Sequence, residues 1–169
     1  TYDNPKCFGI NAINALSIYL ENVVVDTGVY NVQATQPSYV SVGILTPRLN
    51  NAAFNYLRNV TVTGYNIGIQ CEEHTDGDQI VVAGCIHALK MRMGSHAMYF
   101  KRVNVMRNKY GVTVDGNCFF TIEQLNNEYV GTGQFDSASA WQKNVAEIND
   151  PSNLGHGSIT WNNVRGAVG

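Results

Sequence analysis

The sequence predicts an all-β fold: a solenoid of short parallel strands, a single-stranded parallel β-helix of about eight coils of 18–22 residues. Three observations carry this. A weak repeat recurs near twenty residues. Glycine returns in phase with it. Within each copy apolar residues alternate with period two, the pattern of a strand with one buried face.

The repeat is clearest where Asn or Arg precedes Val. It reads Leu20-Glu21-Asn22-Val23-Val24-Val25, Leu57-Arg58-Asn59-Val60-Thr61-Val62 and Phe100-Lys101-Arg102-Val103-Asn104-Val105, with weaker copies at Gln142-Lys143-Asn144-Val145 and Trp161-Asn162-Asn163-Val164. With the first Val as marker, eight positions run through Val23, Val42, Val60, Val81, Val103, Leu125, Val145 and Val164, in steps of 18 to 22. Each strand is too short to bury its face alone. Stacking gives it parallel neighbours about 4.8 Å away and joins the inward Val, Ile and Leu into one core. Gly68, Gly111 and Gly133 each lie eight residues past a marker, and Gly9 and Gly43 have the same apolar sequel. These glycines are assigned to sharp turns or positive φ. Asn suits the repeated corners, because its side chain bonds to nearby backbone and tolerates the left-handed region.

One segment competes with the repeat. Ala138, Trp141, Val145 and Ile148 follow helical spacing, with Asp136 or Ser137 as cap and Pro151 as stop. The register places a strand there instead, and Ala12 to Leu20 is similarly ambiguous. Residues 1–169 read as one domain. Neither end carries the polar cap a stacked fold needs, so the chain is expected to be an excerpt of a longer one.

Composition narrows the function classes. Charged residues make up 14% and the formal net charge is -2, so no basic face for nucleic acid is expected. No apolar run approaches the ~18–20 residues of a membrane span, and no signal peptide is visible. Cys7, Cys71, Cys85 and Cys118 lack CxxC spacing and paired histidines, so no metal and no cofactor is expected. All four read as core thiols of a chain folded in a reducing cytosol. P-loop, Rossmann, Gly-x-Ser-x-Gly and His-Glu-x-x-His motifs are missing from the sequence.

The richest polar run is Glu72-Glu73-His74-Thr75-Asp76-Gly77-Asp78, with four carboxylates and an imidazole in seven residues. That density suits general acid–base work or a cation held by oxygens; a solvated turn is the plainer alternative. Glu72 and Asp115 each lie twelve past a marker. They would share a column two coils apart, about 10 Å, close to the ~6.5–9.5 Å of inverting glycosidases. Glu72, Asp76 and Asp115 are the catalytic candidates, with Glu73, His74 and Asp78 beside them for substrate. Arg107, Lys109 and Tyr110 cluster near Gly111, one coil beyond Lys90-Met91-Arg92, and could form a basic stripe facing an anionic glycan; ordinary surface charge is the alternative. Tyr30, Tyr39, Tyr65, Trp141 and Trp161 are candidate sugar platforms, whereas His87 and His96 suit core or edge positions.

Gly-Ile and Gly-Val pairs opening short strands, with Asn-Val-x-Val steps between them, resemble the pectate-lyase-like superfamily. The likeness covers nearly the whole chain and is nearest to the tailspikes and capsule depolymerases of bacteriophages. It implies a right-handed helix, homotrimers, a place on the virion tail or otherwise outside the cell, and a polysaccharide ligand that is bound and depolymerised. A non-catalytic adhesin or shaft is the other reading. His74-Thr75-Asp76-Gly77 is similar to the Asn-Thr-Asp motif of the polygalacturonases, and Gly155-His156-Gly157 to their Gly-His-Gly. That implies an acid–base role for Asp76 and a supporting one for His156. The sequence departs from the pattern: His74 replaces Asn, no Asp-Asp pair lies between, and 80 residues separate the motifs.

Overall fold

The computed structural model describes residues 7–28, 41–48, 54–92, 98–108, 110–114, 119–128, 147–148, 158–161 and 164–167. Among the described residues there are strands and no helix: β1 (Cys7–Asn11), β2 (Tyr19–Asp26), β3 (Ser41–Leu45), β4 (Asn55–Thr63), β5 (Ile67–Cys71), β6 (Thr75–Ala83), β7 (His87–Met91), β8 (Met98–Met106), β9 (Tyr110–Val114), β10 (Phe119–Glu128), β11 (Glu147–Ile148), β12 (Ser158–Trp161) and β13 (Val164–Ala167). Odd-numbered strands form one sheet in the order β1-β3-β5-β7-β9-β11. Even-numbered strands form the other in the order β12-β10-β8-β6-β4-β2, with β13 also on β10. Every pairing is parallel. The all-β expectation therefore holds, with successive strands alternating between two parallel sheets. Of the segment with helical spacing, Ile148 lies in β11; Asp136, Ser137, Ala138, Trp141, Val145 and Pro151 fall outside the described residues.

The long strands explain themselves through alternation. In β4, Asn55, Leu57, Val60 and Val62 point inward, and two successive outward residues, Arg58 and Asn59, reset the phase in the middle. β8 repeats this with Lys101 and Arg102, and β6 with Asp78 and Gln79. The reset is a bend: Asn22, Asn59 and Gln79 occupy it with φ of 58°, 50° and 57°. Asn tolerates this region, and Asn59 Nδ2 donates to Asn22 Oδ1 at 2.7 Å. A second corner follows the even strands, where Gly64, Gly84 and Arg107 have φ of 81°, 64° and 53°. Buried Asn108 closes it, accepting from Cys85 N at 2.8 Å and donating to Val82 O at 2.9 Å. Asn66 does the same work for Ser41, whose N and Oγ donate to its Oδ1 at 2.9 and 2.8 Å.

The core lies between the sheets. Leu57, Val60, Ile80, Val82, Phe100, Val103, Val105, Ile122 and Leu125 from one side meet Ile44, Ile69, Leu89 and Val112 from the other.

The marker reading is corrected in three places. The column is Val23, Val60, Ile80, Val103, Leu125, Val164. Val81 is one place off, because Ile80-Val81-Val82 is apolar throughout and hydropathy cannot fix its phase. Val42 lies in β3 of the opposite sheet, paired with Phe8 and Ile67. Val23 and Val60 are direct neighbours although 37 residues part them, and Leu125 neighbours Val164 directly. The column thus has six levels among the described residues, not eight, and Val145 falls outside them.

The recurrent glycines also serve a different purpose. Gly43 and Gly68 sit in mid-strand, in β3 and β5. A Cβ on Gly43 would collide with Val62 Cγ1 and lie 2.6 Å from Gly68 O; one on Gly68 would collide with Val82 Cγ1 and lie 2.7 Å from Ala88 O. They permit close approach of the two sheets, not turns. Cys71 and Cys85 are buried free thiols as expected, and burial pushes the Cys85 thiol up to about 12, which leaves it inert. Cys7 is exposed instead, because β1 places it on the outer side. Cys118 falls outside the described residues.

Candidate functional site

The polar run at 72–78 does not form one loop. Its first residues make a corner and its last four enter β6. Glu72 is buried: its Oε1 accepts from Gln70 Nε2 at 2.6 Å and lies 3.6 Å from Arg92 Nε, while its N donates to Thr46 Oγ1 at 2.8 Å. Glu73 Oε2 is buried without a hydrogen-bond partner, 3.9 Å from His74 Nδ1. His74 has a φ of 42°, and its ring meets Phe54 at 5.5 Å. The Glu73 and His74 carbonyls bind Asn55, which accepts Ile18 N in turn. Glu72, Glu73 and His74 therefore staple the corner.

Asp76 and Asp78 instead point outward from β6. Glu72 and Asp76 are thus not brought together. The level next to Glu72 carries Arg92, since Cys71 pairs with Met91. Asp115, Lys109, His96 and the Gly155-His156-Gly157 motif lie outside the described residues. No basic stripe joins the cations that are described. Lys90 is buried between Gln70 and Thr113, and Arg92 turns to Glu72. Arg107 is exposed at the corner after β8. Tyr110 stacks on buried His87, centroids 5.0 Å apart, and His87 Nδ1 lies 2.7 Å from Thr113 Oγ1. Of the proposed sugar platforms, Tyr65 is buried; Tyr30, Tyr39 and Trp141, and the side chain of Trp161, fall outside the described residues.

Parallel pairing creates another site. Tyr19, Tyr56, Asp76, Tyr99 and Thr121 are successive partners across β2, β4, β6, β8 and β10. Their side chains form one outward column along the sheet. Tyr19 is 60% exposed, Phe54 46%, Tyr56 44% and Tyr99 37%. The rings of Tyr19 and Tyr56, and of Phe54 and Tyr56, lie 6.3 Å apart. A shallow groove of about 360 Å³ runs over Tyr19, Tyr56, Arg58, Asp76, Tyr99 and Lys101.

Charge is unevenly used in this groove. Asp78 takes a two-pronged hydrogen bond from Arg102, 2.8 Å from Nε and 2.9 Å from Nη2, which holds its carboxyl below the usual range. Arg58 pairs with Glu21 at 3.5 Å. The Tyr99 hydroxyl donates to Glu123, a bond that holds its proton and lifts its pKa above the usual tyrosine value. Asp76 forms no ion pair among the described residues, and partial burial lifts its carboxyl above the usual range. A wider groove of about 460 Å³ follows the bend, lined by polar side chains including Asn59, Gln79, Arg102, Asn104 and Gln124.

Sequence reasoning missed the tyrosine column. The signal was present: Tyr19, Tyr56 and Tyr99 each stand four residues before a marker valine, and Asp76 four before Ile80. Among the described residues, no three His, Cys, Asp or Glu side chains are placed to hold a metal ion, and no helix is long and apolar enough to cross a membrane. No protein-family model, curated protein or solved structure matches the chain.

Proposed function

We propose that the two alternating sheets are walls of a right-handed single-stranded β-helix, and that its outward tyrosine column binds a polysaccharide of the bacterial-surface kind. The tailspike resemblance supports this reading, and the homotrimer and virion-tail location it implies belong to the same proposal. The observation that carries it is the exposed Tyr19–Tyr56–Asp76–Tyr99 column with its groove. Tyrosine offers an apolar face and a polar tip, which suits the alternating apolar faces and hydroxyls of a sugar. Because the column crosses the strands, a long chain meets one level of the sheet after another.

Binding is favoured over cleavage. Most glycoside hydrolases use two carboxyl groups on either side of the scissile bond. Asp78, the next outward carboxylate on the strand of Asp76, is engaged by Arg102, and Glu72 is buried on the corner.

Affinity electrophoresis against capsular and wall polysaccharides tests the reading. At least one glycan should retard the protein, and Tyr56→Ala or Tyr99→Ala should weaken that binding by about 1–2 kcal/mol, roughly tenfold. Reducing ends appearing in the same mixtures would make the groove an active site. No retardation by any glycan would sink the proposal.

A further inference from the structure

Among the described residues, the Asp76 carboxylate of the groove forms no ion pair. Arg58 is held by Glu21 and Arg102 by Asp78. The groups around Asp76 are Tyr56 and Arg58 from β4, Tyr99 and Lys101 from β8, and Asp78 on its own strand. Arg102 holds Asp78 below the usual carboxylate range, with Lys101 adding to it, whereas burial lifts Asp76 above that range. In register, Asp76 stands directly between Tyr56 and Tyr99. With strands about 4.8 Å apart, the two ring-bearing positions lie about 10 Å from one another on either side of the carboxylate.

We infer that this groove selects a glycan bearing free amino groups, with an ammonium seated between Tyr56 and Tyr99 against Asp76. The inference rests on the polysaccharide reading above. Tyrosine faces attract cations, and an ammonium donates a charge-assisted hydrogen bond to a carboxylate. Together they complement an amino sugar. A uronate would bring a second negative charge to a carboxylate already partly removed from water, and an N-acetyl group carries no charge at all.

Isothermal titration of the intact chain with three hexasaccharides tests this: glucosamine, N-acetylglucosamine and galacturonate. A lysine hexapeptide serves as the cation without sugar. The glucosamine oligomer should bind about tenfold tighter than the acetylated one, the scale of one charged hydrogen bond. Asp76→Asn, isosteric and free of a desolvated charge, should abolish the difference while circular dichroism confirms the fold. The preference should also fade as pH falls through the raised value of Asp76, where the carboxylate takes up its proton. Equal affinity for the two glucosamine oligomers, or a preference that survives Asp76→Asn, overturns the ammonium site. If the ammonium site falls by either result, weakening of every oligomer by Tyr56→Ala still leaves the polysaccharide reading standing. Tighter galacturonate binding, or a hexalysine that binds as well as the amino sugar, also overturns the inference. Binding of no oligomer overturns both.

Discussion

Glu72 and Asp76 belong to one acidic run, yet their neighbours give them opposite tasks. Glu72 satisfies Gln70 and faces Arg92 inside the corner. Glu72→Ala should strip buried Gln70 of its acceptor and cost about 1–3 kcal/mol, read from urea denaturation. An unchanged midpoint would refute this role. Asp78 supplies the pH dependence. Its folded-state value is depressed by Arg102, so its contribution is fully present above the ordinary value of about 3.9 and is lost as pH falls through the lower folded value. Arg102→Ala should remove that contribution, so the variant should be less stable at neutral pH and lose less stability on acidification, and matching stability–pH curves for wild type and variant would contradict it. Asp76 has the reverse sign. Its raised value makes the charged form costly in the fold, and acidification through that value removes the cost.

Strands and corners show how far sequence patterns reach. The inward valines were legible because Asn or Arg before Val marks the bend at which alternation resets. The sheet assignment of Val42 was not legible, since a span of 37 residues divides neatly into two steps of the repeat. Nor was the purpose of the glycines, which depends on the facing sheet. Gly43→Ala should destabilise by about 1–3 kcal/mol through overpacking against Val62 and Gly68, with thermal melting as the check. Arg107 is the converse case. Gly64 and Gly84 fill the equivalent corner positions, but Arg107 holds a φ of 53° as a side-chain-bearing residue. A left-handed residue costs about 1–2 kcal/mol, and glycine's extra chain entropy returns about 0.5–1. Arg107→Gly should therefore stabilise by up to about 1.5 kcal/mol, and a lower melting temperature would show that the Arg107 side chain outweighs the backbone. The tyrosine column belongs to this scale too: three tyrosines separated by dozens of residues become neighbours only once the strand register is known.

Across the whole molecule, each long strand finds its partners at least twenty residues away, as Val60 does with Ile80 and Ile80 with Val103. Chain entropy must be surrendered to close these loops before any pairing rewards it. No helix among the described residues offers a run of local hydrogen bonds in compensation. Folding should accordingly fall in the millisecond-to-second range of non-local β proteins, and stopped-flow fluorescence would measure it. Phe100 tests where the stacked core is established. It is fully buried, sits between Gly77 and Ile122 on the neighbouring strands, and fills the space that Gly77 leaves. Phe100→Ala should cost about 3–5 kcal/mol. If the central strands assemble first, that loss should appear mainly as slower folding. If they assemble last, unfolding should accelerate instead. Microsecond refolding of the wild-type chain would contradict the argument at its root, because local structure would then be guiding a fold whose pairings are distant.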